Sequence, residues 1–204
     1  DLKTNLVSWY DLGDTSLGSE LVSNGDFDSG TDDWDDGTGG TASIVSSGGQ
    51  DDGAYMTVTA GGSGSTWVSQ DITTVVGKTY QVTAYFKKGT TTSADLRIGT
   101  SAGGTQNGYV FDDATDSGWT LYSKEFSATA TTTYLSLVLS DYSSTAFLDT
   151  VTLKEVQVED LQGSNDGTVY GATTTTGYTS APHGVVDPIN YGTLKSGTAL
   201  SFDG

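Results

Sequence analysis

The chain is built from short runs in which apolar and polar residues alternate, separated by clusters of Gly, Asp, Ser and Thr. No other feature limits its fold so strongly. Tyr80-Gln-Val-Thr-Ala-Tyr-Phe86 places Tyr80, Val82, Ala84 and Phe86 on one side and Gln81, Thr83 and Tyr85 on the other. Ala94–Ile98 sets Leu96 and Ile98 against Asp95 and Arg97, and Tyr134–Leu139 aligns Leu135, Leu137 and Leu139. Runs 55–59, 67–72, 121–126 and 147–153 read the same way. Segments such as Gly61-Gly-Ser-Gly64 and Ser101-Ala-Gly-Gly104 between them supply turns. With no long amphipathic helix, the pattern predicts an all-β antiparallel sandwich of the jelly-roll kind.

Charge narrows the function. The 204 residues carry 8 Lys+Arg against 26 Asp+Glu, a formal net charge of -18 that disfavours nucleic-acid binding. No apolar run approaches the ~20 residues of a membrane span. Without Cys there is no disulfide, thiolate metal site or Cys nucleophile. Residues 1–5 show no signal-peptide pattern, so export, if it occurs, uses a segment already removed or another route. From about residue 160 the chain turns Gly- and Thr-rich and holds both prolines, too little apolar material for a core of its own.

Within this pattern lies an ordered series of motifs. Leu21-Val-Ser-Asn-Gly-Asp-Phe-Asp-Ser-Gly-Thr-Asp-Asp-Trp34 comes first. Ser69-Gln-Asp-Ile72, Gly77-Lys-Thr-Tyr80 with its strand, Gly118–Phe126 and Phe147-Leu-Asp-Thr-Val-Thr-Leu153 follow. The series resembles the calcium-stabilised jelly-roll carbohydrate-binding modules of families four, nine and twenty-two over about residues 18–158. Asn5–Leu12, Asp160–Gly171 and Gly197–Gly204 resemble parts of a laminin-G or concanavalin-A-like lectin sandwich. The resemblances imply three parts. Residues 1–16 form a first lectin-like strand and 17–158 the carbohydrate-binding-like module. Residues 159–204 continue an incomplete lectin-like sandwich or a linker, in what reads as a piece of a longer protein.

The resemblance also implies a structural calcium ion between the first and last strands of the jelly roll. Asp28 and Asp149 match its carboxylates, and the Gln50–Gly53 turn, with Asp52, completes the shell; Asp28 stands where the family usually has Glu. Calcium takes 6–8 oxygen ligands, so carbonyls must contribute. Sugar recognition needs exposed rings beside hydrogen-bonding groups. Trp67, Tyr85, Arg97, Gln81 and Tyr109 are the candidates, joined by Asp95, Phe111 and Tyr122, and all are expected on one side of the sandwich. Arg97 is the chain's only Arg, a planar group with five donors. Trp34 and Trp119 match family positions that are mostly structural.

Enzyme signatures are weak. The single His, His183, lies in a Pro-His-Gly turn, and no Gly-x-Ser-x-Gly elbow or HExxH run occurs. Glu155-Val-Gln-Val-Glu159 puts two carboxylates on one strand face, but Gln157 stands between them where a lectin-fold glucanase has Asp. The expectation is a non-catalytic glycan-recognition protein at an extracellular, cell or virion surface, without membrane insertion and available to a larger homo-oligomeric assembly. The alternative is a structural or adhesive subunit of a viral tail or capsid fibre or of a surface filament.

Overall fold

The computed structural model describes residues 10–37, 39–62, 66–160, 167–168, 172–175 and 199–202. Among them are fourteen strands and no helix. In chain order they are β1 (Tyr10–Glu20), β2 (Asp35–Asp36), β3 (Gly40–Val45), β4 (Tyr55–Ala60), β5 (Thr66–Thr73), β6 (Thr79–Lys88) and β7 (Ala94–Gly99). There follow β8 (Gly108–Ala114), β9 (Thr120–Ser127), β10 (Thr132–Leu139), β11 (Thr145–Asp160), β12 (Gly167–Thr168), β13 (Ala172–Thr175) and β14 (Ala199–Phe202). Every run picked out by alternation lies on a strand. The edge strands β2, β3 and β8 escape that reading: β2 is two residues long, and β3 and β8 border Gly-rich turns.

Two antiparallel sheets make the sandwich. Sheet A runs β3-β4-β11-β6-β9, with β1 and β12 paired to the C-terminal half of β11. Sheet B runs β2-β5-β10-β7-β8. Among the described residues β13 and β14 pair with each other alone. The expected all-β jelly-roll architecture is therefore present. Strands consecutive in sequence repeatedly change sheets: β4 to β5, β6 to β7, β8 to β9 and β9 to β10. That crossing packs alternate residues of both sheets into one core.

The core follows the pattern of the sequence. Val82, Ala84 and Phe86 from sheet A face Leu96, Ile98, Leu135 and Leu137 from sheet B, all 0% exposed. Phe111 of β8 lies 4.8 Å from the rings of both Phe86 and Tyr122, so it bridges the layers. The opening motif closes one end, where Phe27 is buried beside Trp34, ring centroids 5.6 Å apart. Trp34 is structural, as the resemblance implies.

The ends of the module are joined by pairing. β1 runs antiparallel to β11, from Glu20↔Lys154 out to Tyr10↔Asp160. Glu20 Oε1 accepts from the Leu21, Val22 and Leu153 N–H groups, pinning β1 where it meets the sandwich. β1 continues unbroken across residues 16 and 17, where a domain boundary is expected, and β11 passes 158 in the same way. Residues 1–9, 161–166 and most of those after 168 lie outside the described residues. So do His183 and most of the lectin-like terminal segments.

Leu137 sits at the centre of β10, fully enclosed between the sheets. Leu137→Ala should cost about 2–5 kcal/mol of unfolding free energy, the usual price of a large core truncation. Urea unfolding checks this; a change below about 1 kcal/mol would place the core elsewhere.

Candidate functional site

The two outer faces are the surfaces on which the expected site residues fall, and they fall on both. Gln81 and Tyr85 project from β6 on the outside of sheet A. Trp67 (β5), Arg97 (β7) and Tyr109 (β8) project from the outside of sheet B. The single-sided cluster expected from sequence is thus corrected: Tyr85 and Arg97 are separated by the whole sandwich. Alternation tells inside from outside but not which sheet a strand joins, and β6 and β7, adjacent in sequence, join different sheets. Phe111 and Tyr122 also leave the list, because both turn inward onto the core.

On sheet B a row runs straight across the strands, through Asp35↔Ser69, Ser69↔Ser136, Ser136↔Arg97 and Arg97↔Tyr109. Arg97 is held by Asp95 of its own strand and by the loop that follows. Nε and Nη2 donate to Asp95 Oδ2 at 3.1 and 2.8 Å, and Nη1 donates to the Gly103 carbonyl at 3.2 Å. Asp95 is buried and accepts a further bond from the Asp113 N–H at 3.0 Å. Next to it, the exposed Asp112 has its pKa raised, first by desolvation and then by the charges of Asp95 and Asp113. Asp95, Asp112 and Asp113 are the one three-acid group among the described residues close enough to share a cation.

This face is partly roofed. The loop at residues 100–107 turns back over it, and the Gly103 N–H donates to Ser136 Oγ at 2.9 Å. Ser69, Ser136 and Val138 point outward yet are 3%, 0% and 7% exposed. Trp67 lies beneath two backbones. A methyl group at Gly103 would stand 3.3 Å from Trp67 Cδ1, and one at Gly37 only 2.0 Å from Cε3. One face of the indole therefore lies flat on Gly37 and is closed to a sugar ring. At the β2–β5 edge there is instead an open polar cleft of about 340 Å³, lined by Asp33, Asp35 and Asp71 with Ser23 and Thr73.

This architecture can be set against known proteins. Residues 19–144, more than half the chain, match the model of a carbohydrate binding domain family. The chain belongs to that family. Among solved structures, the module resembles the CBM22-1 xylan-binding domain of a Paenibacillus barcinonensis protein. The TM-score is 0.52 at 16% identity, covering 69% of this chain and 96% of that one. The CBM22-2 xylan-binding domain from the same source gives 0.50 at 9% identity, covering 67% and 98%. The enzymatically active domain of bacteriophage CBA120 tailspike protein 4 gives 0.51 at 16% identity; the match covers 67% of this chain and only 21% of the tailspike chain. These likenesses establish the shared fold. Comparison with curated proteins finds no match.

The expected calcium ligands of the carbohydrate-binding module do not meet as a carboxylate trio. Asp149 is 1% exposed, while Asp28 and Asp52 lie on exposed turns. The turn carrying Asp52 does cover Asp149: the Gln50 N–H donates to its Oδ2 at 2.7 Å, and the Thr150 N–H to its Oδ1 at 2.7 Å. Burial raises the Asp149 pKa, these bonds oppose the rise, and nearby Asp51 adds to it. Among the described residues no Lys or Arg reaches Asp149. Glu155, one of the two strand carboxylates noted above, is instead held by both oxygens to Lys78 Nζ, at 2.9 and 3.0 Å.

Sequence reasoning missed the largest outward aromatic group, which is on sheet A. Tyr55, Trp119 and Phe147 are all half-buried. Tyr55 meets Trp119 at 5.4 Å and Phe147 at 5.5 Å, both nearly perpendicular. Lys87 Nζ stands 5.6 Å from the centroids of both Trp119 and Phe147. Tyr55 and Phe147 alternate with buried neighbours, Met56 and Leu148, and that signal could have placed them outside.

The Gly37–Trp67 contact has a direct test. Gly37→Ala should cost about 1–3 kcal/mol through overpacking and shift the tryptophan emission. In a Trp67→Ala background that cost should vanish, because the clash partner is gone. Equal costs in both backgrounds would mean that Gly37 is needed for another reason.

Proposed function

We propose that the chain is a non-catalytic polysaccharide-recognition module acting outside the cell, with its main contact surface on the outer face of sheet B. One observation carries this reading: Trp67, Arg97 and Tyr109, from three separate strands, share one face, with the guanidinium held in place by Asp95. Three of the five Arg97 donors are engaged by Asp95 and Gly103, which leaves two for sugar hydroxyls. The Arg97 side chain is 29% exposed, so a ligand can reach it without unfolding the loop. Tyr109 supplies the ring beside it. Trp67, pinned by glycine backbones, supports the surface rather than stacking on the ligand. Two of these structural relatives are xylan-binding domains, which makes xylan the first polysaccharide to try. Arg97→Ala should weaken retention on the bound polysaccharide by at least about tenfold in affinity electrophoresis. Unchanged retention would move the site off this face.

The proposal includes a calcium ion anchored by Asp149. A buried carboxylate without a cationic neighbour is costly unless something neutralises it, and the Gln50–Gly53 turn brings backbone carbonyls close by. The ion would cross-link β11 to that turn, with Asp149 as its buried carboxylate. In chelator, ionised Asp149 costs stability at neutral pH, because its folded pKa is raised above the unfolded value. That cost is relieved as pH falls through the folded pKa. Calcium binds the ionised form, so its stabilisation, about 2.7 kcal/mol at a hundredfold excess over Kd, should shrink over the same fall. Thermal melts with calcium and with chelator at several pH values check this. A calcium effect that survives Asp149→Ala would place the ion elsewhere.

A second reading is favoured by the pairing of β1 with β11 beyond the sandwich. Chain segments that arrive and leave side by side suit a module carried within another domain, as in a fibre or surface subunit. Native mass measurement separates the two: a monomer at micromolar concentration disfavours the structural-subunit reading.

A further inference from the structure

The aromatic group on sheet A has no part in the surface just described. We propose that it is a second carbohydrate-contact surface, which takes the flat C–H faces of an uncharged glycan chain. The sugar class rests on the carbohydrate-binding reading; the location is independent of it.

The register lays the surface out. Phe147 pairs with Lys87, and Tyr85 pairs with Leu121 one row along, all outside the sheet. Trp119 lies beyond Lys87 and is anchored by its Nε1–H to the Gly48 carbonyl at 3.3 Å; Tyr55 stands two residues before Thr57, the β4 partner of Phe147, and its ring meets both Trp119 and Phe147. Leu121 is 52% exposed and Val45, opposite Tyr55, 37%. The solvent side of an antiparallel sheet is ordinarily polar, and elsewhere on this face it is, with Gln81, Thr83 and Thr152. The core between the sheets makes no use of these rings. Their contiguity on the outside therefore asks for an external partner.

Charge and chemistry select the partner. Lys87 makes no ion pair among the described residues, so its N–H groups remain available to hydroxyl oxygens. It is a single ammonium in a chain of net charge -18, with Asp116 bonded through its carbonyl to the next residue, Lys88, and Asp51 on the turn that Trp119 braces. A polyanion would be repelled as it approached, whereas a neutral pyranose chain incurs no such cost. Rings for C–H faces, with an ammonium beside them, are what a neutral sugar can use. Two contact surfaces on opposite faces would let one module bridge two chains of an insoluble polysaccharide, gaining avidity without tighter single sites.

The test compares the two faces. Immobilised xylan, mixed-linkage β-glucan, galactan, mannan and polygalacturonate serve as probes, with Trp119→Ala, Tyr85→Ser and Leu121→Ser on sheet A and Arg97→Ala on sheet B. Each sheet-A ring variant should lower retention on the bound neutral polysaccharide by about tenfold. Arg97→Ala should leave residual binding that a sheet-A variant then removes. If Trp119→Ala fails to fold, Tyr85→Ser and Leu121→Ser decide, since both side chains lie outside the core. Full retention by all three sheet-A variants, with loss in Arg97→Ala, overturns the second surface and leaves the main reading intact. Stronger retention on polygalacturonate overturns the uncharged class. Concentration-dependent dimerisation abolished by Leu121→Ser, with glycan retention unchanged, would assign the surface to self-association instead. A wild-type chain that binds none of the probes overturns both the surface and the carbohydrate reading.

Discussion

Strand β11 is the element on which the rest of the structure depends. It pairs with β4 over its first residues, with β6 as far as Glu155, and with β1 and β12 over its C-terminal part, so every strand of sheet A except the edge strands β3 and β9 bonds to it directly. Its register with β6 shifts between Asp149 and Thr152, where Thr150 takes a positive φ of 48°. The bulge turns Val151 inward and aims its carbonyl at Gly25, whose own carbonyl accepts from the Val151 N–H at 2.9 Å. A methyl group at Gly25 would stand 2.1 Å from that carbonyl oxygen, so the Asn-Gly of the opening motif is a packing requirement of the last strand. The same bulge leaves Asp149 beneath the Gln50 turn. One irregularity in one strand thus sets the end of the core, the buried acid and the direction in which the chain leaves.

Much of this was legible in the sequence, and the limit has a physical cause. A strand's period of two reports whether a side chain faces the core, and Val82, Leu96, Leu135 and Leu137 are buried where that period puts them. It carries no information about pairing partners. Tyr85 was rightly placed outside; its supposed neighbour Arg97 was not its neighbour, because hydrogen bonds join β6 to β11 and β9 and join β7 to β10 and β8. The ordered motifs gave the family. They did not tell the candidate calcium carboxylates apart, because residue identity carries no information on burial. Asp28, Asp52 and Asp149 are alike as letters, yet only the last is buried.

Trp119 shows the converse. As a letter in a Gly-Trp-Thr turn it matched a structural position, and it does brace the Gly48 turn. It is also half-exposed, with its ring against Tyr55 and under Lys87. Burial and exposure on one side chain divide by atom, so a structural role for the indole N–H does not withdraw the ring from solvent. A family position describes what a residue holds in place; the remaining surface is decided by what happens to lie beside it. Here that is an outward Phe147 and Tyr55, contributed by two other strands.

The glycine content takes on a specific meaning at Trp67. Only a residue without Cβ lets the backbone at position 37 lie on the indole, and Gly103 brings a second stretch of backbone against its edge. The two contacts close over Trp67 and divide the face, with the cleft beside Asp35 and Asp71 at one edge and the Arg97–Tyr109 surface at the other. A glycan laid across all five strands would meet the Gly103 backbone, which already uses Ser136 and Arg97 as partners. Glycine thus sets which part of an otherwise shared fold stays open, and the ligand must fit what remains.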